Sequence, residues 1–133
     1  MRLRLSAALA VAVVAGSALA AEAGGSRVLQ CASGSTIARL SAIYVETTTG
    51  NRTVKSFDVD LEINGNAGYR EGQRVVFYLD GRKIGQQRLT ADARGDLDAD
   101  LKFASGRGGF PNVKPKSTVA AEVRGVTLGS CVL

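Results

Sequence analysis

The chain reads as an all-β protein, an antiparallel sandwich of about seven or eight strands, and two observations carry that reading. Apolar residues recur with period two rather than 3.6, and turn signals separate the runs at short intervals. A length of 133 residues holds one domain with one modest core. The 45% apolar and 22% charged fractions are those of a chain that folds, not of a disordered one.

The chain opens on a leader. Arg2 and Arg4 precede an apolar run over 5–20 that ends in Ala18-Leu19-Ala20. That is the charged, apolar and small-x-small order of a signal peptide, and the run is shorter than the roughly 20 residues of a membrane span. Residues 1–20 are therefore expected to be a signal peptide, 21–133 the single domain, and the protein to lie in the periplasm, at the cell surface or in the medium, with no membrane span after cleavage. Gln30 precedes Cys31, where a lipid-attachment signal needs a small residue. Export exposes Cys31 and Cys131 to an oxidising compartment, so they are expected to form one disulfide that ties the first strand to the last. Neither belongs to a C-x-x-C pair. A crosslink closing a loop of about 100 residues stabilises by about 2 to 4 kcal/mol.

Within the domain the alternation is cleanest over 57–63. Phe57, Val59, Leu61 and Ile63 share one face, and Ser56, Asp58, Asp60 and Glu62 share the other, as in a half-buried strand. Val75, Phe77 and Leu79 form the face of a second such strand. Leu97, Ala99, Leu101 and Phe103 form that of a third, and Val119, Ala121 and Val123 that of a fourth. The stretches 37–46, 84–90 and 126–132 are less regular strands. Asp80-Gly81 is the sharpest turn signal, because both central residues of a type I′ hairpin need positive φ. Thr49-Gly50-Asn51, the segment 64–68 and Arg94-Gly95 supply other corners. The longest irregular piece is 104–116, which carries Gly106, Gly108, Gly109, Pro111 and Pro115 and is long enough for a binding loop.

The run Val75-Val76-Phe77-Tyr78-Leu79-Asp80-Gly81-Arg82-Lys83-Ile84-Gly85, followed by Leu89-Thr90-Ala91-Asp92-Ala93-Arg94-Gly95, resembles the V-x-V-x-x-D-G-x-x-I-G and T-A-D-x-x-G pattern of bacterial immunoglobulin-like modules. Such modules occur in surface adhesins and small exported proteins. The resemblance implies an immunoglobulin-like sandwich and an exported location. It carries over no catalytic residue, because these modules share none. This chain holds one module where adhesins hold tandem arrays.

Several enzyme classes are excluded by composition. With no His, the Ser-His-Asp and Cys-His nucleophiles and the His-based metal sites cannot be built. Lys55 and Ser56 are adjacent on a strand and face opposite ways, which rules them out as a base and nucleophile pair. A small hydrolase built on spaced carboxylates is the least favoured reading, since no acid pair is singled out. Cleavage after Ala20 would remove Arg2 and Arg4 and leave 15 Lys and Arg against 12 acids, and this +3 is too mild for a nucleic-acid binder, while export argues against one as well. Arg107-Gly108-Gly109-Phe110 imitates an RGG element in a single copy, and Asn51-Arg52-Thr53 is a glycosylation sequon that matters only in a eukaryotic pathway.

What remains is a non-catalytic binding or structural module with no cofactor. Its expected contact residues are Arg82, Lys83, Arg107, Phe110, Lys114 and Lys116 in the loops, with Tyr78 beside the basic hairpin as an aromatic stacker. The expected partner is an envelope or extracellular protein, or an anionic glycan. The alternative is a calcium-dependent or glycan-binding sandwich. Asp96-x-Asp98-x-Asp100 opens like a calcium loop but continues with Leu101 where an EF-hand has Gly and Arg107 where it has Glu. If that strand lay beside Asp58, Asp60 and Glu62, up to six carboxylates would share one face, with Asp58, Asp60, Asp98 and Asp100 the candidate ligands. Without Trp, the platform for sugars is limited to Tyr44, Tyr69 and Tyr78.

Overall fold

The computed structural model describes residues 24–133, so the expected signal peptide lies outside the described residues. The strands are β1 (Gly24–Gly34), β2 (Ala38–Thr49), β3 (Arg52–Ile63), β4 (Arg74–Leu79), β5 (Arg82–Arg88), β6 (Thr90–Ala91), β7 (Leu97–Ala104), β8 (Thr118–Val123) and β9 (Val126–Val132). They form two antiparallel sheets, ordered β1-β2-β3-β7-β6 and β5-β4-β8-β9. No helix occurs among the described residues, and none is long and apolar enough to cross a membrane.

The period-two residues become the core between the sheets. Ala38, Leu40, Ala42 and Tyr44 of β2 face Val75, Phe77 and Leu79 of β4 and Val119, Ala121 and Val123 of β8, joined by Phe57, Val59, Leu61 and Ile63 of β3 and Leu97 and Ala99 of β7. Each is at most 4% exposed. Burying a side chain of this size contributes about 1.5 to 3 kcal/mol, so these faces hold the two sheets together. Leu101 and Phe103 continue the β7 face but are only half-buried, and Phe103 stacks on Phe57 with centroids 6.2 Å apart.

Among the described residues nine strands replace the expected seven or eight, and two local causes account for the difference. The expected strand over 84–90 divides at Leu89, which is 1% exposed. Its N–H donates to the Gln73 carbonyl and its carbonyl accepts from Gly72 N–H, both at 2.8 Å. The chain is thereby pinned to the β3–β4 loop, and Thr90–Ala91 crosses to pair with β7 in the other sheet. The second cause is β1, whose small and polar residues carry little alternation. Strands β2 and β3 also run further than expected, meeting at a two-residue turn whose first residue, Gly50, takes φ 61°.

Cys31 and Cys131 are bonded, with Cα atoms 5.8 Å apart. They join β1 and β9, edge strands of different sheets, so the crosslink closes one side of the sandwich. Disulfides of this kind persist in oxidising, exported compartments. Both outer strands of the second sheet are bulged, with register shifts opposite Ile84 in β5 and Leu128 in β9. A glycine follows each bulge. A Cβ on Gly85 would stand 2.7 Å from Leu101 Cδ1, and one on Gly129 would stand 2.7 Å from Leu40 Cβ. The two glycines thus let β5 and β9 lean onto the opposite sheet.

Candidate functional site

Asp80 and Gly81 both take positive φ, 51° and 81°, as the expected hairpin requires. Asp80 also reaches across the fold. Its Oδ1 accepts Thr118 N–H and its Oδ2 accepts the Ser117 hydroxyl, each at 2.9 Å, while its own N–H donates to the Thr118 carbonyl at 2.8 Å. Ser117 is 3% exposed, the one buried polar residue among the described residues, and its Oγ accepts Lys114 N–H at 3.1 Å. The Thr118 and Ser117 bonds, helped by the nearby Lys114 charge, hold the Asp80 carboxyl below the usual carboxylate range. Lys116 N–H donates to the Leu133 carbonyl and Leu133 N–H to the Ser117 carbonyl, both at 2.9 Å. The β4–β5 hairpin and the last turn of the long loop are therefore one hydrogen-bonded unit.

This unit presents cations. Arg82, Lys114 and Lys116 stand on it, exposed, and Lys83 follows on β5 with its Nζ donating to Gln86 Oε1 at 2.9 Å. Arg107 lies in the glycine-rich first half of the loop, between Gly106 and Gly108 at φ 88° and 75°. Among the described residues none of these five cations has an ion-pair partner. Phe110 is placed differently from an exposed contact residue. It is half-buried against Tyr44, ring centroids 6.2 Å apart, and closes the end of the core. Burial pushes the Tyr44 phenol up to about 12, helped by its donation to Glu46 Oε1 at 2.6 Å. Tyr78 is half-buried on the outer face of the second sheet, in register with Lys83, and burial together with Glu122 raises its phenol.

The acidic stripes do meet. The β3–β7 register sets Asp60 opposite Asp100, Glu62 opposite Asp98 and Asp58 opposite Lys102. Asp96 does not join them, because it lies before β7 and its Oδ1 accepts Gly65 N–H at 2.9 Å. The five acids are not equivalent. Arg39 hydrogen-bonds Glu62, and Lys102 reaches Asp58 at 3.5 Å and Asp100 at 3.7 Å. Thr90 donates to Asp98 Oδ1 at 3.1 Å. Asp60 sits between them without a cation in contact. Burial first, then Asp98, Asp100 and Glu62, raise its carboxyl. Among the described residues no three acids or cysteines converge in a group able to hold a metal ion.

Sequence reasoning missed Ser117 and Lys102. Ser117 is one polar residue in a polar loop, and its partner Asp80 lies 37 residues away. Lys102 interrupts the acidic face, and the alternation of β7 could have shown it, since it follows Asp98 and Asp100 at the same spacing. Compared with known proteins, the chain matches no family model, no curated protein and no solved structure.

Proposed function

We propose that this protein is an exported, non-catalytic binding module that meets an acidic protein of the envelope or extracellular space through the basic end formed by the β4–β5 hairpin and the long loop. The observation that carries the reading is clustering. Arg82, Lys83, Lys114 and Lys116 stand on one unit held together by Asp80, Ser117 and Thr118, with Arg107 in the same loop, and none of the five has an ion-pair partner among the described residues. Unpaired cations on a braced loop raise the association rate with an anionic surface at little ordering cost. The order β2-β3-β7-β6 facing β5-β4-β8-β9 supports the immunoglobulin-like reading, since it matches the A-B-E-D and C′-C-F-G arrangement, with β1 added outside. Calcium dependence is the weaker alternative, because Lys102 already occupies the space between Asp58 and Asp100.

Affinity capture from the source organism's envelope and secreted fractions tests the proposal, comparing the native chain with the variant carrying Ser at positions 82, 83, 114 and 116. The expected result is a protein captured by the native chain, lost in high salt and lost with the variant. Capture that is indifferent to the four substitutions overturns the proposal. Retention of an anionic glycan in place of a protein would move the partner class, and capture only with calcium would restore the alternative.

A further inference from the structure

We propose that the outer face of the β1-β2-β3-β7 sheet is a self-association surface on which a second copy of this chain packs about a two-fold axis. This surface borders the start of the long loop at Lys55 and Ser105, but the proposal does not depend on the reading given to the basic loops.

The face has an apolar middle. Val28, Ile43 and Val54 are 51%, 38% and 49% exposed, and Val45 lies among them, directly opposite Val28 and one pair along β2 from the Thr47–Val54 pair. Four β-branched aliphatic side chains on adjacent strands form a patch that water solvates poorly. Ser56 stands on β3 opposite Val45, in the middle row of the patch.

The ends of the face are complementary to each other. Arg52 precedes Ser56 by four residues and Asp60 follows it by four, and all three belong to the outward-facing set of β3. A two-fold axis through the Ser56 row would lay Arg52 of each copy over Asp60 of the other, about 13 Å from the axis on either side. Both groups are available. Neither Arg52 nor Asp60 has an ion-pair partner among the described residues, whereas Arg39 engages Glu62 and Lys102 engages Asp58 and Asp100. Asp60 borders a groove of about 550 Å³ whose lining includes Ala32, Ile43, Asp58, Asp100 and Lys102, the lysine reaching Asp58 and Asp100 and leaving Asp60 without an ion pair. That suits an arginine, with an apolar stem to lie along Ile43 and a guanidinium to meet the carboxylate.

The size sets the strength of the contact. About an axis along the Ser56 row, residues 24–32 of β1, 41–49 of β2 and 52–60 of β3 overlap their own images, and at about 4.8 Å spacing and about 3.3 Å per residue they give a footprint of about 430 Å². That is about half of the roughly 800 Å² per partner of a standard interface, so a weak dimer is expected, with the two faces packed as aligned sheets.

Sedimentation equilibrium on the full chain, expressed so that its disulfide forms, tests this. A concentration-dependent dimer is expected, with a dissociation constant raised about tenfold or more by Arg52→Glu, by Asp60→Arg and by Val54→Asp, which sets a carboxylate over Asp58 of the other copy. The combined Arg52→Glu and Asp60→Arg chain should recover most of the loss, and the Ser variant at positions 82, 83, 114 and 116 should dimerise normally. Circular dichroism checks each fold, and Asp60→Asn replaces Asp60→Arg if the latter does not fold. A monomer throughout the micromolar range overturns the proposal. So does a dimer indifferent to Arg52→Glu and Val54→Asp, or a combined variant that fails to recover.

Discussion

Two aspartates of this fold respond to pH in opposite directions. Asp80 is stabilised as a carboxylate by Thr118 and Ser117, so its folded-state pKa is lowered. Its contribution is present above the usual carboxylate range and disappears as the pH falls through that lowered value. Asp80→Ala leaves the buried Ser117 hydroxyl without its acceptor, and urea titration should show a loss of about 2 kcal/mol at pH 7. Most of that difference should vanish in strong acid. Asp60 has the reverse sign, because burial and its acidic neighbours raise its pKa. Its ionisation costs stability once the pH rises through the raised value, and the cost is absent below the ordinary carboxylate range. Asp60→Asn in dilute protein should therefore stabilise by about 0.5 to 1 kcal/mol at pH 7, less at high salt, and by nothing at pH 3. Two-pH melts of these variants separate the effects. An Asp60→Asn chain that is less stable at neutral pH would show that the carboxylate has a favourable partner instead.

At the scale of elements, the bulged edge strands make the sharper test. The two glycines that follow the bulges have different neighbours. Gly129 lies against Leu40 Cβ, which the backbone holds, whereas Gly85 lies against Leu101 Cδ1, the far end of a flexible side chain. Gly129→Ala should cost about 1 to 3 kcal/mol and Gly85→Ala less than about 1, read as thermal midpoints. Equal costs would mean that β9 moves as freely as β5. The strands with regular alternation were legible because Phe57 to Ile63 or Val75 to Leu79 must bury every second residue, and register follows from that. The Asp80-Gly81 hairpin was legible for the same local reason. What was not legible lacked a local signal. β1 has Arg27, Leu29, Cys31 and Ser33 at its inward positions, so only Leu29 and the bonded Cys31 pack on the core, and the strand is held mainly by pairing with β2 and by the disulfide. β6 exists because Leu89 is pinned by distant backbone groups. The candidate loops were visible as charge and length, but their union depends on Ser117 meeting Asp80, and the docking of Phe110 on Tyr44 depends on tertiary placement.

On the scale of the whole molecule, charge and crosslink are both distributed unevenly. The outer face of the first sheet is acidic in a chain of net charge +5, so the cations concentrate elsewhere, at the loop ends and on the second sheet. Removing the crosslink with Cys31→Ser and Cys131→Ser together should lower stability by about 2 to 4 kcal/mol. Hydrogen exchange should show the loss first along β1 and β9, the strands that the bond joins. Protection lost uniformly would instead make the crosslink a constraint on the unfolded chain alone. The same bond has a mechanical meaning. Tension applied to the chain outside Cys31 and Cys131 passes directly from one sulfur to the other, so the stretch between them, across a sequence separation of 100, bears none of it. Of the described residues, only 24–30 and 132–133 lie outside the two cysteines and can be drawn out. Tethered by its ends, the domain should behave as a nearly inextensible link, lengthening by a large step only after reduction.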